Sequence, residues 1–199
     1  MADPILKTLH PVLVSIPATA PAKTAACVAQ QRRYSAEALR ASARHSGAPE
    51  SGYQKDSDNV PQPNEGWCWS VAHKRGWAAA VVSGSPVGID VERIARRGPD
   101  FLDETASPEE WALAGDRCMR TFFRIWTAKE ATLKANGVGI GKLLDCRLTA
   151  LLGPASMNLH YAGVVWHVTH WCIDDYVAAV SSPTAASIAW HVDQSESLT

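Results

Sequence analysis

The chain has 199 residues, 46% of them apolar and 20% charged, with a net charge of −1. That composition is globular, and the length fits one large domain or two small ones. The near-neutral balance excludes a protein built to coat nucleic acid. Its five cysteines are odd in number and none fall in a Cys-x-x-Cys spacing. This excludes a disulfide framework or a cysteine zinc site and predicts reduced thiols in a cytoplasmic protein.

Residues 9–16 predict a strand. Residues 11–28 faintly resemble a signal peptide, with Thr24-Ala25-Ala26-Cys27 as a weak cleavage box. They lack a basic leader, and Pro17 and Pro21 interrupt the apolar part, so no export is expected. No apolar run approaches the ~20 residues that span a bilayer, so no membrane partner is expected. Residues 26–44 predict a helix carrying Arg32, Arg33, Arg40 and Arg44. Residues 47–66 are rich in Gly, Pro, Ser, Asp and Asn and predict a long loop.

Strands follow at 67–71 and 77–83, with Lys74-Arg75-Gly76 as the turn between them. Residues 86–92 predict another strand, because Val87, Ile89 and Val91 alternate with Gly88, Asp90 and Glu92. That alternation puts Gly88, Asp90 and Glu92 on one face and the apolar residues on the other. Residues 93–106 predict a polar loop. Ser107-Pro108-Glu109-Glu110 starts a helix, with Ser as N-cap, Pro first inside and Glu closing a capping box. That helix runs to about Gly115. A longer one covers about 117–136, with Gly137 as a left-handed stop. Strands are expected at 146–152, 164–172, 176–181 and 187–192. Helix followed by strands recurs in each half, which fits an α+β fold of two related lobes. Residues 1–84 hold nine Lys/Arg against six Asp/Glu, and residues 85–199 hold ten against fourteen. A basic half beside an acidic half suits a phosphorylated ligand that also carries a cation.

Asp90 and Glu92 point the same way from one strand. Glu130 and Lys134 are one helical turn apart on one face, with Trp126 a turn earlier. Taken alone, each pair is ordinary: a surface helix pair, or the wet face of an edge strand. Their apolar neighbours Ile89, Val91, Phe122, Phe123, Ile125 and Leu133 point to a partly buried setting, where carboxylates need a charge partner. A hard cation with oxygen ligands meets that need, and Mg²⁺ fits if phosphate completes its shell.

Val87-Gly88-Ile89-Asp90-Val91-Glu92, followed some forty residues later by Trp126-Thr127-Ala128-Lys129-Glu130-Ala131-Thr132-Leu133-Lys134, resembles the two signature motifs of the phosphopantetheinyl transferase superfamily. Trp69-Ser70-Val71-Ala72-His73-Lys74 is similar to a third segment of that family, with Ala72 where a second Ser is usual. The resemblance covers about residues 66–140. It implies an α+β fold of two similar α/β lobes packed as a pseudo-dimer in one monomeric chain. The lobes would be 1–84 (nucleotide side of coenzyme A) and 85–199 (metal and catalytic side). It implies Mg²⁺ held by Asp90, Glu92 and Glu130, with Glu130 as base and Lys134 against the leaving phosphate. Coenzyme A would be the substrate, and a serine of a carrier protein the acceptor. The product would be adenosine 3′,5′-bisphosphate. His73, Lys74 and Ser70 would meet the nucleotide phosphates, with Lys55 and Arg32 as looser partners alongside Arg33, Arg40 and Arg44. Small acidic carriers would be steered by Arg93, Arg96, Arg97, Arg117, Arg120 and Arg124. Two other readings stand beside this one: a catalytically silent module that binds coenzyme A or a carrier, and a metal-dependent phosphotransferase for another nucleotide-like substrate. The segment Gly137-Val138-Gly139-Ile140-Gly141-Lys142 fails the Walker pattern and reads as a C-cap and turn.

Overall fold

Alternating burial along the strands sorts the chain into four layers: helix, sheet, sheet, helix. The computed structural model describes residues 7–194, so the outer ends of the two expected lobes, residues 1–6 and 195–199, lie outside the described residues. In chain order come β1 (Thr8–Leu9), β2 (Val12–Ser15), α1 (Ala25–Ser46), β3 (Cys68–Lys74), β4 (Trp77–Ser83) and β5 (Gly88–Arg93). Then follow α2 (Pro99–Asp103), α3 (Pro108–Ala114), α4 (Met119–Ala135) and a 3-10 turn (Ile140–Lys142). The rest is β6 (Arg147–Leu151), β7 (Ser156–Tyr161), β8 (Val164–Ile173), β9 (Tyr176–Ser182), β10 (Ser187–Ile188) and β11 (His191–Asp193).

The first sheet has the order β11-β2-β4-β3, and the second β5-β9-β8-β7-β6. On the outer face of the first, Val12, Val14, Ala80 and Val82 pack against Ala38, Leu39 and Ala43 of α1. Their sequence neighbours Leu13, Ala79 and Val81 point the other way and meet Ile89, Val91, Ala178 and Val180 of the second sheet. The far face of the second sheet, with Val177, Ala179, Val168 and Leu159, packs against α4. Phe122, Phe123, Ile125 and Leu133 of that helix are at most 1% exposed. Each such burial contributes ~1.5–3 kcal/mol, so packing rather than helix propensity holds α4 in place.

Both halves follow one order. A strand (β2 or β5) leads to a helix on the outer face (α1 or α4). A later hairpin then inserts its last strand (β4 or β9) antiparallel beside the first. The second half adds α2, α3, β6 and β7. After β9 the chain returns to the first half, where β10 pairs with β1 in a separate two-stranded sheet and β11 joins the first sheet beside β2, both parallel.

The capping box at Ser107 and Glu110 forms as read, and Gly137 takes a left-handed φ of 66°. β7 is an element the sequence reading does not contain. Met157 and Leu159 are buried while Asn158 and His160 are not, a short alternation ended by the Ala162-Gly163 turn, where both residues have positive φ. The expected loop at 93–106 contains the short α2, started by Pro99 at its first position. The expected last strand splits into β10 and β11, which pair with different partners.

Candidate functional site

The site is built where β5 meets α4. Gly88 permits the approach: a Cβ there would lie 1.8 Å from the carbonyl oxygen of Ala131. The alternation of β5 sends Ile89 and Val91 into the contact between the sheets, so Asp90 and Glu92 face α4. Asp90 is only 5% exposed.

Lys134 Nζ donates to Asp90 Oδ1 at 2.6 Å, while Asp90 Oδ2 is buried with no hydrogen-bond partner. Lys74 Nζ lies 2.5 Å from Glu92 Oε2, tying β3 to β5. Burial, then the charges of Asp90 and Glu92, push the Glu130 carboxyl up to about 7, against the pull of Lys134 and Lys74. Burial also raises Glu92, with Asp90 adding to the rise and Lys74 opposing it. Burial alone would lower the Lys134 ammonium, but Asp90, Glu130 and Glu92 together hold it above its ordinary range. Lys134 nonetheless keeps 32% of its side chain exposed, enough to reach a ligand.

Lys55, Ser70 and Lys134 line one cavity of about 230 Å³, closed by Val60 and Pro61 from the long loop and by Gly137 and Val138 after α4. Lys134 also lines a neighbouring cavity of about 210 Å³ beside Trp69 and Val87. His73 is exposed, and its imidazole is pushed down by burial and then by Lys134 and Lys55, with Asp90 opposing. Asp90, Glu92, Glu130, Lys134, His73, Lys74, Lys55 and Ser70 thus gather on one side of the molecule. Ser70 is 2% exposed and its oxygen accepts the Ile89 N–H at 3.1 Å, so it also fastens β3 to β5. Arg32 is exposed on α1 and lines neither cavity. Ala72, where the resemblance expects a second Ser, is 4% exposed in the core between the sheets. A more spacious cavity, about 720 Å³, lies between α1 and β11 and holds none of these carboxylates.

Among the described residues, no three His, Cys, Asp or Glu side chains stand close enough to hold a metal ion as they are placed. Lysines occupy the sides of Asp90 and Glu92 instead. The donor set nevertheless suits a hard cation: three oxygen-bearing side chains in mutual repulsion, one of them with a buried oxygen lacking a partner.

Sequence reasoning missed Lys129 and the second duty of Glu110. Lys129 is 0% exposed, with Nζ 2.8 Å from Glu110 Oε1. Glu110 reads in sequence as a capping residue only. A lysine beside Glu130 within an apolar stretch was the available signal. Of the arginines read as steering groups, Arg93 pairs with Asp175 at 2.5 Å, Arg117 pairs with Asp103, and Arg97 lies over Phe101 and Phe123.

An α+β fold that sets three carboxylates and a lysine where one strand meets one helix has a donor set suited to a phosphate and a hard cation. A family model described as the 4′-phosphopantetheinyl transferase superfamily matches residues 86–181, the span from just before β5 to the end of β9. Over 135 residues the chain is 30% identical to 4′-phosphopantetheinyl transferase HetI of Nostoc sp., covering 63% of this chain and 54% of that protein. It is 30% identical over 76 residues to 4′-phosphopantetheinyl transferase gsp of Aneurinibacillus migulanus, covering 36% and 32%. It is 27% identical over 101 residues to 4′-phosphopantetheinyl transferase Sfp of Bacillus subtilis, covering 49% and 42%. The matched part thus spans about a third to a half of these relatives. The stretch from β5 to β9 belongs to the 4′-phosphopantetheinyl transferase superfamily.

Proposed function

We propose that this protein transfers the 4′-phosphopantetheine arm of coenzyme A to a serine of an apo carrier protein, with Mg²⁺, releasing adenosine 3′,5′-bisphosphate. The observation that carries the reading is the junction of β5 and α4, where Lys134 Nζ lies 2.6 Å from Oδ1 of the buried Asp90 and leaves its other oxygen without a partner. Asp90, Glu92 and Glu130 would hold Mg²⁺, which would supply charge neutralisation at the pyrophosphate.

The serine oxygen forms a bond to the phosphorus that carries pantetheine, and the bond from that phosphorus to the bridging oxygen breaks. Glu130 accepts the serine proton, directly or through a water. Lys134 stands on the same face one turn away and offsets charge on the departing phosphate. Lys74, His73 and Lys55 bind the nucleotide phosphates, with Ser70 at the cavity wall and Arg32 as an outer partner. Much of the catalysis is positioning on rigid elements.

The repeat of one strand-helix-hairpin order within a single chain supports two lobes that divide near residue 84, with β10 and β11 crossing back to the first, and a monomer. The five cysteines are unpaired, which supports a cytoplasmic setting. Among the described residues no helix is long and apolar enough to cross a membrane.

The test is incubation with coenzyme A, Mg²⁺ and a panel of apo-carriers, read by intact mass. A carrier should gain one phosphopantetheine. A panel spanning fatty-acid, polyketide and peptide-synthetase carriers that stays unmodified, while a known transferase modifies it, refutes the reading.

A further inference from the structure

Lys129 lies inside the protein, and a buried ammonium must be met there. Its Nζ is 2.8 Å from Glu110 Oε1 and donates to the Thr105 carbonyl oxygen at 2.8 Å. Glu110 Oε1 also accepts the Leu148 N–H at 2.6 Å, and Oε2 accepts the Ser107 N–H at 2.9 Å. One ion pair therefore ties α4 to the first turn of α3, to the residues after α2 and to β6.

On another face of the same helix, Ala131 meets β5 at Gly88 with no room for a methyl group. Residues two apart on an α-helix are ~200° apart around its axis, so Lys129 and Ala131 anchor nearly opposite sides. Glu130 lies between them, ~100° from each. Two anchors on opposite sides leave α4 no freedom to roll, and Glu130 inherits that fixed direction. A buried ion pair is a poor route to stability, because apolar side chains of the same volume often do as well. It supplies direction instead, since hydrogen bonds fix angles that apolar contacts leave free to slide.

We propose that Lys129 is a positioning residue: its buried pair with Glu110 sets the roll of α4 that aims Glu130 at Asp90 and Glu92. This rests on the transferase reading.

Three variants test it beside the parent: Lys129→Met, Glu110→Gln and, as a core control, Val82→Ala, buried on the face of the first sheet that packs against α1 and away from α4. Mg²⁺ binding is titrated by calorimetry with coenzyme A present, and transfer kinetics are followed well below each unfolding temperature. Both ion-pair variants should weaken Mg²⁺ binding and lower kcat by about tenfold or more, as for other groups that orient ligands. KM for the carrier should hold, and Val82→Ala should match the parent in both readouts. Should Lys129→Met fail to fold, Glu110→Gln, which keeps the volume, decides. Ion-pair variants that bind Mg²⁺ and turn over like Val82→Ala overturn the positioning role alone. A parent that binds neither ligand and transfers nothing overturns the transferase reading, and this inference with it.

Discussion

Lys134 and Asp90 join α4 to β5 through one hydrogen bond of 2.6 Å, which leaves the second Asp90 oxygen buried and without a partner. The pair is bistable in chemical terms. Lys134 is partly exposed and can turn to a phosphate, whereas Asp90 cannot leave the interior. Asp90→Ala should abolish Mg²⁺-dependent coenzyme A binding and lower transfer by at least ~10²-fold, the scale for losing one electrostatic group from a site. Lys134→Ala should slow turnover with a milder effect on coenzyme A affinity. Calorimetry and intact-mass kinetics separate the two. Near-normal turnover in Asp90→Ala would remove Asp90 from the site.

Gly88→Ala tests the closeness of β5 and α4. The added methyl meets a backbone carbonyl oxygen, which cannot swing aside like a side chain. Overpacking of this kind costs ~1–3 kcal/mol or more, and here the relief is a shift of α4 away from β5. The variant should melt lower and lose activity beyond what its stability explains, because Asp90 and Glu130 move apart. Gly141→Ala, where a Cβ meets nothing within 4 Å, should do neither. A Gly88→Ala melting curve superimposable on the parent would show that the junction is loose.

Much of this junction was legible in the sequence because periodicity carries direction. The alternation in residues 87–92 placed Asp90 and Glu92 opposite Ile89 and Val91, and the structure sends those sets to α4 and to the other sheet. The one-turn spacing of Glu130 and Lys134 placed them on one helical face. What alternation does not carry is pairing between distant segments. Lys74 with Glu92 and Lys129 with Glu110 depend on which elements become neighbours. Ala72 shows the same limit: the motif marked it only as standing where a second Ser is usual, while its neighbours make it core. β7 escaped because five or six residues of alternation are weak until a partner strand lies beside them.

Basic residues near α4 give a prediction for the carrier. Arg117 is already engaged by Asp103 and lies 5.1 Å over the Trp111 ring, so reversing its charge would disturb α3 as well. Arg120 makes a 3.4 Å hydrogen bond to the Asp174 carbonyl oxygen and lies beside the Cys172 thiol, with no carboxylate partner among its described ion pairs, so Arg120→Glu is the cleaner probe. It should raise KM for an acidic carrier several-fold at low salt, with the loss shrinking as salt screens the charge, and leave coenzyme A affinity unchanged. Equal loss of affinity for both substrates would place Arg120 at the nucleotide instead.

The last strand contributes His191 to a cluster with His45 of α1 and His10 of the link between β1 and β2. His45 and His191 stack at 3.7 Å between ring centroids, and His10 Nδ1 lies 3.1 Å from His191 Nε2. Burial lowers His10, with His45 adding to it, and burial lowers His191, with His45 and His10 adding to it. Arg40 and Arg44 line the adjoining cavity and disfavour further positive charge. Glu37 and Asp193 favour it, while Glu50 is occupied by Arg44. A histidine whose folded pKa is depressed binds its proton more readily when unfolded. Its stabilising contribution is therefore complete above the ordinary value of about 6.5 and drains away as pH falls through it. The melting temperature should fall between about pH 7 and pH 5, and His191→Gln should flatten that slope. His170, buried between the Arg124 and Ala155 carbonyl oxygens and pushed down to about 4 by burial, adds a further fall in both proteins and cancels in the comparison. Amide exchange at residues 191–193, corrected for intrinsic rate, should rise in the same window in the parent, since protonated rings repel across the β2–β11 pairing. Identical pH slopes for parent and His191→Gln would show that the cluster is electrostatically silent.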